Sequence, residues 1–199
     1  MNQEQKEPSE IINKMGHLGG FTIEGDEYTI MPDVWDWLIT TYNIKSIVDI
    51  GCARGHSIKY FEEKGINCLG IEGIPTAISS KVCSSEIIEH DYTKGKLDKI
   101  SDKVFDLGWC AEFVEHVEER YVSNFMHTYE SCKHVCITHG LPGQDGYHHV
   151  NCQTTEYWID MFNKHGFDYD EKSTDLIRSM SNGKSFRWGR NSLTLFHKR

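Results

Sequence analysis

From Ile44 to Lys164 the chain alternates short apolar runs with segments long enough for helices, and no other feature constrains the fold as much. Strands are expected at 44–50, 67–72, 86–90, 104–110 and 134–138, with helices around 56–64, 75–83, 113–131 and 154–165 between them. A strand that returns through a helix of roughly 10–15 residues re-enters the sheet parallel to its start, so the pattern predicts βαβ units. The tail departs from it: Asp168–Lys172 and Ser192–Lys198 read as strands without a long helix between them. They bracket Ser179–Gly189, a Ser/Asn/Gly-rich stretch expected as a loop or hairpin connection. Ahead of the alternation, residues 1–10 are expected to be disordered, 9–15 to hold a short helix, and Gly16 to Tyr28 to be turn-rich. Pro32 to Tyr42 predicts a helix, with Pro32 in its first turn and Val34, Trp35, Leu38 and Ile39 on one side. The expectation is a three-layer α/β fold closed by an antiparallel, hairpin-like end.

At 199 residues the chain fits one domain with a sizeable core. Its 38% hydrophobic and 26% charged residues are ordinary for a soluble globular protein. A net charge of −9 argues against a broad nucleic-acid surface, which needs clustered Lys and Arg, and leaves room only for a small local basic patch. No apolar run approaches the ~20 residues of a membrane helix, and the polar, acidic start resembles neither a secretory nor a transit signal. The seven cysteines (52, 68, 83, 110, 132, 136, 152) form no C-x-x-C pair and mostly lie in apolar runs. That usage predicts reduced thiols, a cytoplasmic or other reducing intracellular location, and no cysteine zinc site.

Two stretches carry chemistry. Ile47-Val48-Asp49-Ile50-Gly51-Cys52-Ala53-Arg54-Gly55 is an apolar strand running into a Gly-rich turn and then a helix. Such a turn lets backbone approach a ligand closely at a helix start, yet small residues at 51, 53 and 55 do not match the dinucleotide G-x-G-x-x-G spacing. Asp49, just before the turn, favours a cationic ligand over a pyrophosphate. The second strand ends at Glu72, placed to accept from ribose hydroxyls, and the third at His90-Asp91. The other stretch is the apolar run Val104–Cys110 followed by Glu112, Glu115 and His116 at spacing i, i+3, i+4. On a helical turn those three share a face and can hold a divalent cation; alone, the same spacing also describes a solvated first turn complementing the helix dipole.

Over roughly residues 44–198 the sequence resembles the class I S-adenosylmethionine-dependent methyltransferases. Val-Asp-Ile-Gly-Cys-Ala-Arg-Gly is similar to the family's first motif, with Ala53 where glycine is more common. The resemblance implies a doubly wound seven-stranded sheet, mostly parallel with an antiparallel last strand, and a donor site of Asp49, Gly51, Ala53, Gly55, Glu72, Gly73, His90, Asp91 and Cys110. It also implies that residues 1–43 form an N-terminal segment and helix covering the cofactor site of a 44–199 methyltransferase domain. Glu112-Phe113-Val114-Glu115-His116 resembles the Glu-x-x-Glu-His motif of metal-dependent O-methyltransferases, which include small-RNA 3′-terminal ribose methyltransferases and catechol-type enzymes. By that likeness His149 completes a metal set of Glu112, Glu115, His116 and His149, with His148 the fallback. His139, at a strand end, either touches substrate or serves as a structural cap.

Substrates of those relatives share two neighbouring oxygens, which points to a vicinal diol, with a sugar or glycan hydroxyl the first choice. Manganese suits the mixed ligands better than magnesium. Trp35, Tyr147, Trp158 and Trp188 are candidates to stack on a sugar, with core packing the expected role of Trp35 and Trp158. The alternatives are an RNA 3′-terminal ribose 2′-O-methyltransferase, a metal-independent small-molecule methyltransferase with His116 or His139 as general base, and a non-catalytic binding module. A chain of this length would work beside, or as a piece of, a larger glycan-assembly enzyme.

Overall fold

The computed structural model describes residues 16–21, 25–180 and 189–199. The expected disorder at 1–10, the helix at 9–15, most of the 179–189 connection and Trp188 lie outside them. Seven strands form one sheet: β1 (Ser46–Ile50), β2 (Asn67–Glu72), β3 (Ile87–Glu89), β4 (Phe105–Cys110), β5 (Cys132–Ile137), β6 (Phe167–Tyr169) and β7 (Thr194–Lys198). Their order is β3-β2-β1-β4-β5-β7-β6. The first five pair in parallel, and β7 runs antiparallel between β5 and β6. The expected fold class is therefore the observed one.

Strand residues alternate between two faces, as the pleat requires. Val48, Ile50, Val135 and Phe196 pack with Phe125 and Met126 of α4 (Val122–Tyr129) and with Trp158 and Phe162 of α5 (Thr155–Lys164). Ile47, Leu107, Cys136 and Leu195 pack on the other face with Trp35 and Leu38 of α1 (Pro32–Tyr42), Phe61 of α2 (His56–Glu63) and Ile177 of α6 (Glu171–Ser179). Trp35 and Trp158 are fully buried, the first edge-on to Trp109. All seven cysteines are free. Among the described residues no helix is long and apolar enough to cross a membrane.

Three expectations are corrected. The helix expected at 113–131 is only α4, preceded by two short 3-10 turns at Val114–His116 and Glu119–Tyr121. Glu112 sits at φ +54°, a left-handed value that cannot continue a right-handed helix, and Val117 is extended. The Glu115 carbonyl instead accepts the N–H groups of Val150 and Asn151 at 2.9 and 3.0 Å. The helix expected at 75–83 stops after α3 (Pro75–Ser79). The strand expected at 168–172 ends at Tyr169, because Asp170 caps α6 by accepting from the Ser173 N–H at 2.9 Å. A helix thus follows where none was expected, and a short α7 (Gly189–Ser192) precedes β7.

Candidate active site

The parallel strands end at two adjoining cavities. The larger, about 310 Å³, lies between the β1 turn, the start of β4's following loop, residues 144–149 and the N-terminal segment. The smaller lies over the ends of β2 and β3, and Gly51, Ala53, Glu112 and His116 line both.

The β1 turn is shaped by three left-handed residues, Gly51 (φ +73°), Ala53 (φ +47°) and Gly55 (φ +79°). A side chain at Gly51 would meet the Phe113 ring at 2.6 Å, which reserves that position for glycine. Gly55 lines neither cavity; it caps α2 and passes close to the Cys83 sulfur. Asp49 is buried on the α2 side, where the Ser57 hydroxyl donates to it. Burial pushes the Asp49 carboxyl up to about 7, the Ser57 bond works against this, and the Glu72 charge adds to it.

Glu72 is buried between two backbone donors, accepting from Ala53 N–H at 2.7 Å and Ile74 N–H at 2.9 Å. Burial nevertheless leaves its pKa above the ordinary carboxylate value. It faces the smaller cavity with Gly73, His90 and Asp91. His90 bonds the Gly95 carbonyl through Nε2 at 3.0 Å. Asp91 accepts from the Thr93 backbone and hydroxyl and meets His17 Nε2 at 3.0 Å. Burial raises the Asp91 carboxyl, and the bonds from Thr93 and His17 outweigh it, so its pKa falls below the usual value. Cys110 lines neither cavity; it is fully buried in the core, its thiol pushed well up by burial.

The acidic stretch after β4 gathers by a kink and a 3-10 turn rather than on an α-helix face. Thr138 fixes Glu112, its hydroxyl accepting from the Glu112 N–H at 2.8 Å and donating to Oε1 at 3.0 Å. Glu115 is fully buried, and no donor reaches either of its carboxylate oxygens. Burial and the neighbouring Glu112 charge drive its pKa well above the ordinary value. Ligating atoms of Glu115, His116 and His149 lie within 4.8 Å of one another. Glu112 stands outside that tightest group but against the Glu115 carboxylate, to which it can bridge only by sharing a proton or a cation. His116 approaches the His148 carbonyl through Nδ1 at 3.3 Å, and burial and the neighbouring His149 hold its pKa down at about 4. Its ring sits 5.0 Å from that of His149, nearly perpendicular.

His148 is outside both cavities, its Nε2 buried without a partner. His139 is also outside them, buried against Trp158 with Nε2 3.2 Å from the Thr155 hydroxyl at the start of α5. The larger cavity also takes in residues that spacing did not single out: Asp26, His56, Ser57, Gln144 and Asp145. Ser57 was legible in principle, because it stands in the first turn of the helix that follows the glycines. Asp26 and Asp145 had no local signal. Together Asp26, Asp49, Glu112 and Asp145 make the lining acidic, and among the described residues no Lys or Arg lines it. Such a chamber favours positive ligands.

Residues 48–140 match a protein family described as a methyltransferase domain. They run from β1 through β5 and include the glycine turn, Glu72, Asp91 and the acidic stretch. Solved structures share the fold of S-adenosylmethionine-dependent methyltransferases with nearly the whole chain. A methyltransferase of that class from Archaeoglobus fulgidus is 15% identical, with 89% of this chain and 96% of that one covered at a TM-score of 0.62. Magnesium protoporphyrin IX methyltransferase from Synechocystis PCC 6803, solved with bound S-adenosylmethionine, is 11% identical over 85% and 78% of the two chains, TM-score 0.63. A TehB-like methyltransferase from Corynebacterium glutamicum is 17% identical over 85% and 89%, TM-score 0.62. No curated protein gives a significant sequence match. At these identities the likeness speaks for the fold alone.

Proposed function

We propose that this chain transfers the methyl group of S-adenosylmethionine to one hydroxyl of a vicinal diol on a sugar or glycan, with a divalent cation held by Glu112, Glu115, His116 and His149. Glu115 carries the reading. A fully buried carboxylate with no hydrogen-bond donor, beside a second carboxylate and two imidazoles, needs a proton or a cation to offset its desolvation. The mixed oxygen and nitrogen donor set suits manganese better than magnesium. Bound there, a divalent cation supplies the positive charge that lowers a hydroxyl's pKa and fixes its orientation.

The chain's own residues supply the rest. Glu72 and Asp91 keep acceptor capacity toward the ribose and adenine ends of the donor in the smaller cavity. The left-handed turn at Gly51 and Ala53 lets backbone lie against the donor, while Asp49 and Glu112 favour its positive sulfonium. Residues 16–21 and 25–31 act as a cover: they contribute to both cavities, and His17 reaches Asp91. Tyr147, 43% exposed on the larger cavity, offers a face for a sugar ring. The methyl group is already activated, so alignment of the acceptor is the principal task.

Labelled donor incubated with candidate glycans and small RNAs tests the acceptor. On the accepted substrate, excess chelator should abolish transfer while the demethylated donor still binds, and manganese, cobalt and magnesium should restore it to different extents. Full activity of demonstrably metal-free protein in chelator would leave an ordinary metal-independent methyltransferase.

A further inference from the structure

Among the described residues, four that are not glycine hold a left-handed backbone: Asn43, Ala53, Glu112 and His148. That conformation is costly for a residue with a Cβ and calls for a local reason. Three of them have one. Asn43 ends α1, its N–H donating to the Ile39 carbonyl. The Ala53 N–H is taken by Glu72, and the Glu112 N–H by the Thr138 hydroxyl. His148, at φ +55°, is the fourth. It is the third residue of the turn Gly146–His149, closed by the His149 N–H on the Gly146 carbonyl at 3.4 Å, where a positive φ favours glycine or asparagine. The His148 imidazole supplies no reason: it stands outside the group of Glu115, His116 and His149, and its Nε2 is buried without a partner.

The His148 carbonyl does have a partner. It lies 3.3 Å from His116 Nδ1, and the Tyr147 carbonyl before it acts on the same ring. A carbonyl oxygen only accepts, so Nδ1 carries the proton and the lone pair of the neutral imidazole sits on Nε2. Gly19 closes over that edge of the ring, since a Cβ there would meet Nδ1 at 3.2 Å. The chain beyond His148 is anchored, His149 N–H on Gly146, and Val150 and Asn151 N–H on the Glu115 carbonyl at 2.9 and 3.0 Å. The direction of the His148 carbonyl is therefore set by the torsions of His148 itself. An outer partner that takes one imidazole N–H is the device by which a ligating histidine's tautomer and aim are fixed.

We propose that His148 is a positioning residue for the cation site: its left-handed backbone turns its carbonyl onto His116 Nδ1–H, so that His116 offers Nε2 as a ligand beside Glu115 and His149. The inference rests on the proposed cation site. It gives the two neighbouring histidines different tasks, His149 acting through its side chain and His148 through its main chain. A β-branched residue at 148 resists a positive φ, whereas glycine and asparagine adopt one readily.

Manganese affinity, read by electron paramagnetic resonance on the full chain, tests it, with titration of the demethylated donor S-adenosylhomocysteine as the control for an intact fold. His148→Val should weaken manganese binding about tenfold, the lower end for loss of an outer-shell partner. His148→Asn and His148→Gly discard the imidazole but keep the turn, and both should stay within about threefold of wild type, short of that loss. In histidine-selective nitrogen NMR of metal-free protein, His116 should be Nδ1-protonated in wild type and in His148→Asn, and His148→Val should raise its Nε2–H fraction. A tenfold loss in both His148→Asn and His148→Gly overturns the proposal, because the side chain would then be what counts. Unchanged manganese affinity or an unaltered His116 tautomer in His148→Val overturns it as well. If His148→Val no longer binds S-adenosylhomocysteine, wild type and His148→Asn decide, and a His116 protonated on Nε2 in either one refutes the assignment. If wild-type protein binds S-adenosylhomocysteine but no manganese, the cation reading itself fails and takes this proposal with it; the wrong tautomer with intact manganese binding removes this proposal alone.

Discussion

Replacing Glu115 by glutamine keeps the side chain's shape and removes its charge, so Glu115→Gln separates a cation ligand from a merely buried acid. If wild-type protein binds manganese only when folded, a cation concentration a hundredfold above its dissociation constant stabilises it by about 2.7 kcal/mol. In a chain of this size each kcal/mol moves the melting temperature by roughly 2–4 °C, so the expected rise is about 5–10 °C. Glu115→Gln should lose most of that rise, because one of the two carboxylates in the set is gone and an amide oxygen is the weaker ligand. Metal-free, the variant should be at least as stable as wild type at pH 8. The sign follows from proton linkage. Burial raises the native Glu115 pKa, so between the ordinary carboxylate value and that raised value the native state holds a proton the unfolded chain has released. Stability of the metal-free wild type therefore falls as pH rises through that window, and the amide escapes the loss. Differential scanning fluorimetry at pH 8, with manganese or with chelator, measures both effects. A manganese-induced rise in Glu115→Gln equal to that of wild type would refute the assignment, as would no rise in wild type at all.

Gly146→Ala tests the same site sterically. A Cβ there would meet His149 Nε2 at 2.2 Å, so the substitution should displace the imidazole and weaken manganese binding more than tenfold, with S-adenosylhomocysteine titration unaffected. Asp49→Asn tests the donor side without a metal. The Asp49 pKa lies at about 7 in the fold, above its ordinary 3.8, so the donor-free wild type should lose stability between pH 4 and pH 7 and level off above. The loss is on the order of 4 kcal/mol, and urea unfolding across that range should show a flatter curve for Asp49→Asn.

Much of the sheet was legible because its signals are local. Apolar runs bounded by turns located all seven strands to within a few residues, since a strand buried on both faces must be apolar along its length. The Gly51–Gly55 turn, Glu72 and Asp91 followed from where those strands end. A cap is equally local, and Asp170 with Ser173 announced α6, yet the β-rich reading of the tail obscured it. Helical spacing then misled at 112–116. It placed Glu112, Glu115 and His116 together for the wrong reason, because the periodicity contains no term for Glu112 turning left-handed or for the Glu115 carbonyl being taken by Val150 and Asn151.

The order of chemical groups along the chain, then, was set by the sequence alone: an acid before a glycine turn, acids at two later strand ends, and two carboxylates and an imidazole after β4. Which of them meet was decided by tertiary structure. His149 reaches Glu115 and His116 only because residues 150 and 151 dock on the Glu115 backbone, whereas His139 and Cys110, equally plausible in sequence, are turned into the core by the packing around Trp158 and Tyr129. Asp26 and Asp145 enter the cavity from separate loops. Burial does the same for charge: Glu115 lies a few residues from exposed Glu119, and only its enclosure without a donor leaves its carboxylate to be offset by a proton or a cation. Local sequence encodes backbone preference and apolar period, but desolvation and long-range contact are properties of the assembled sheet.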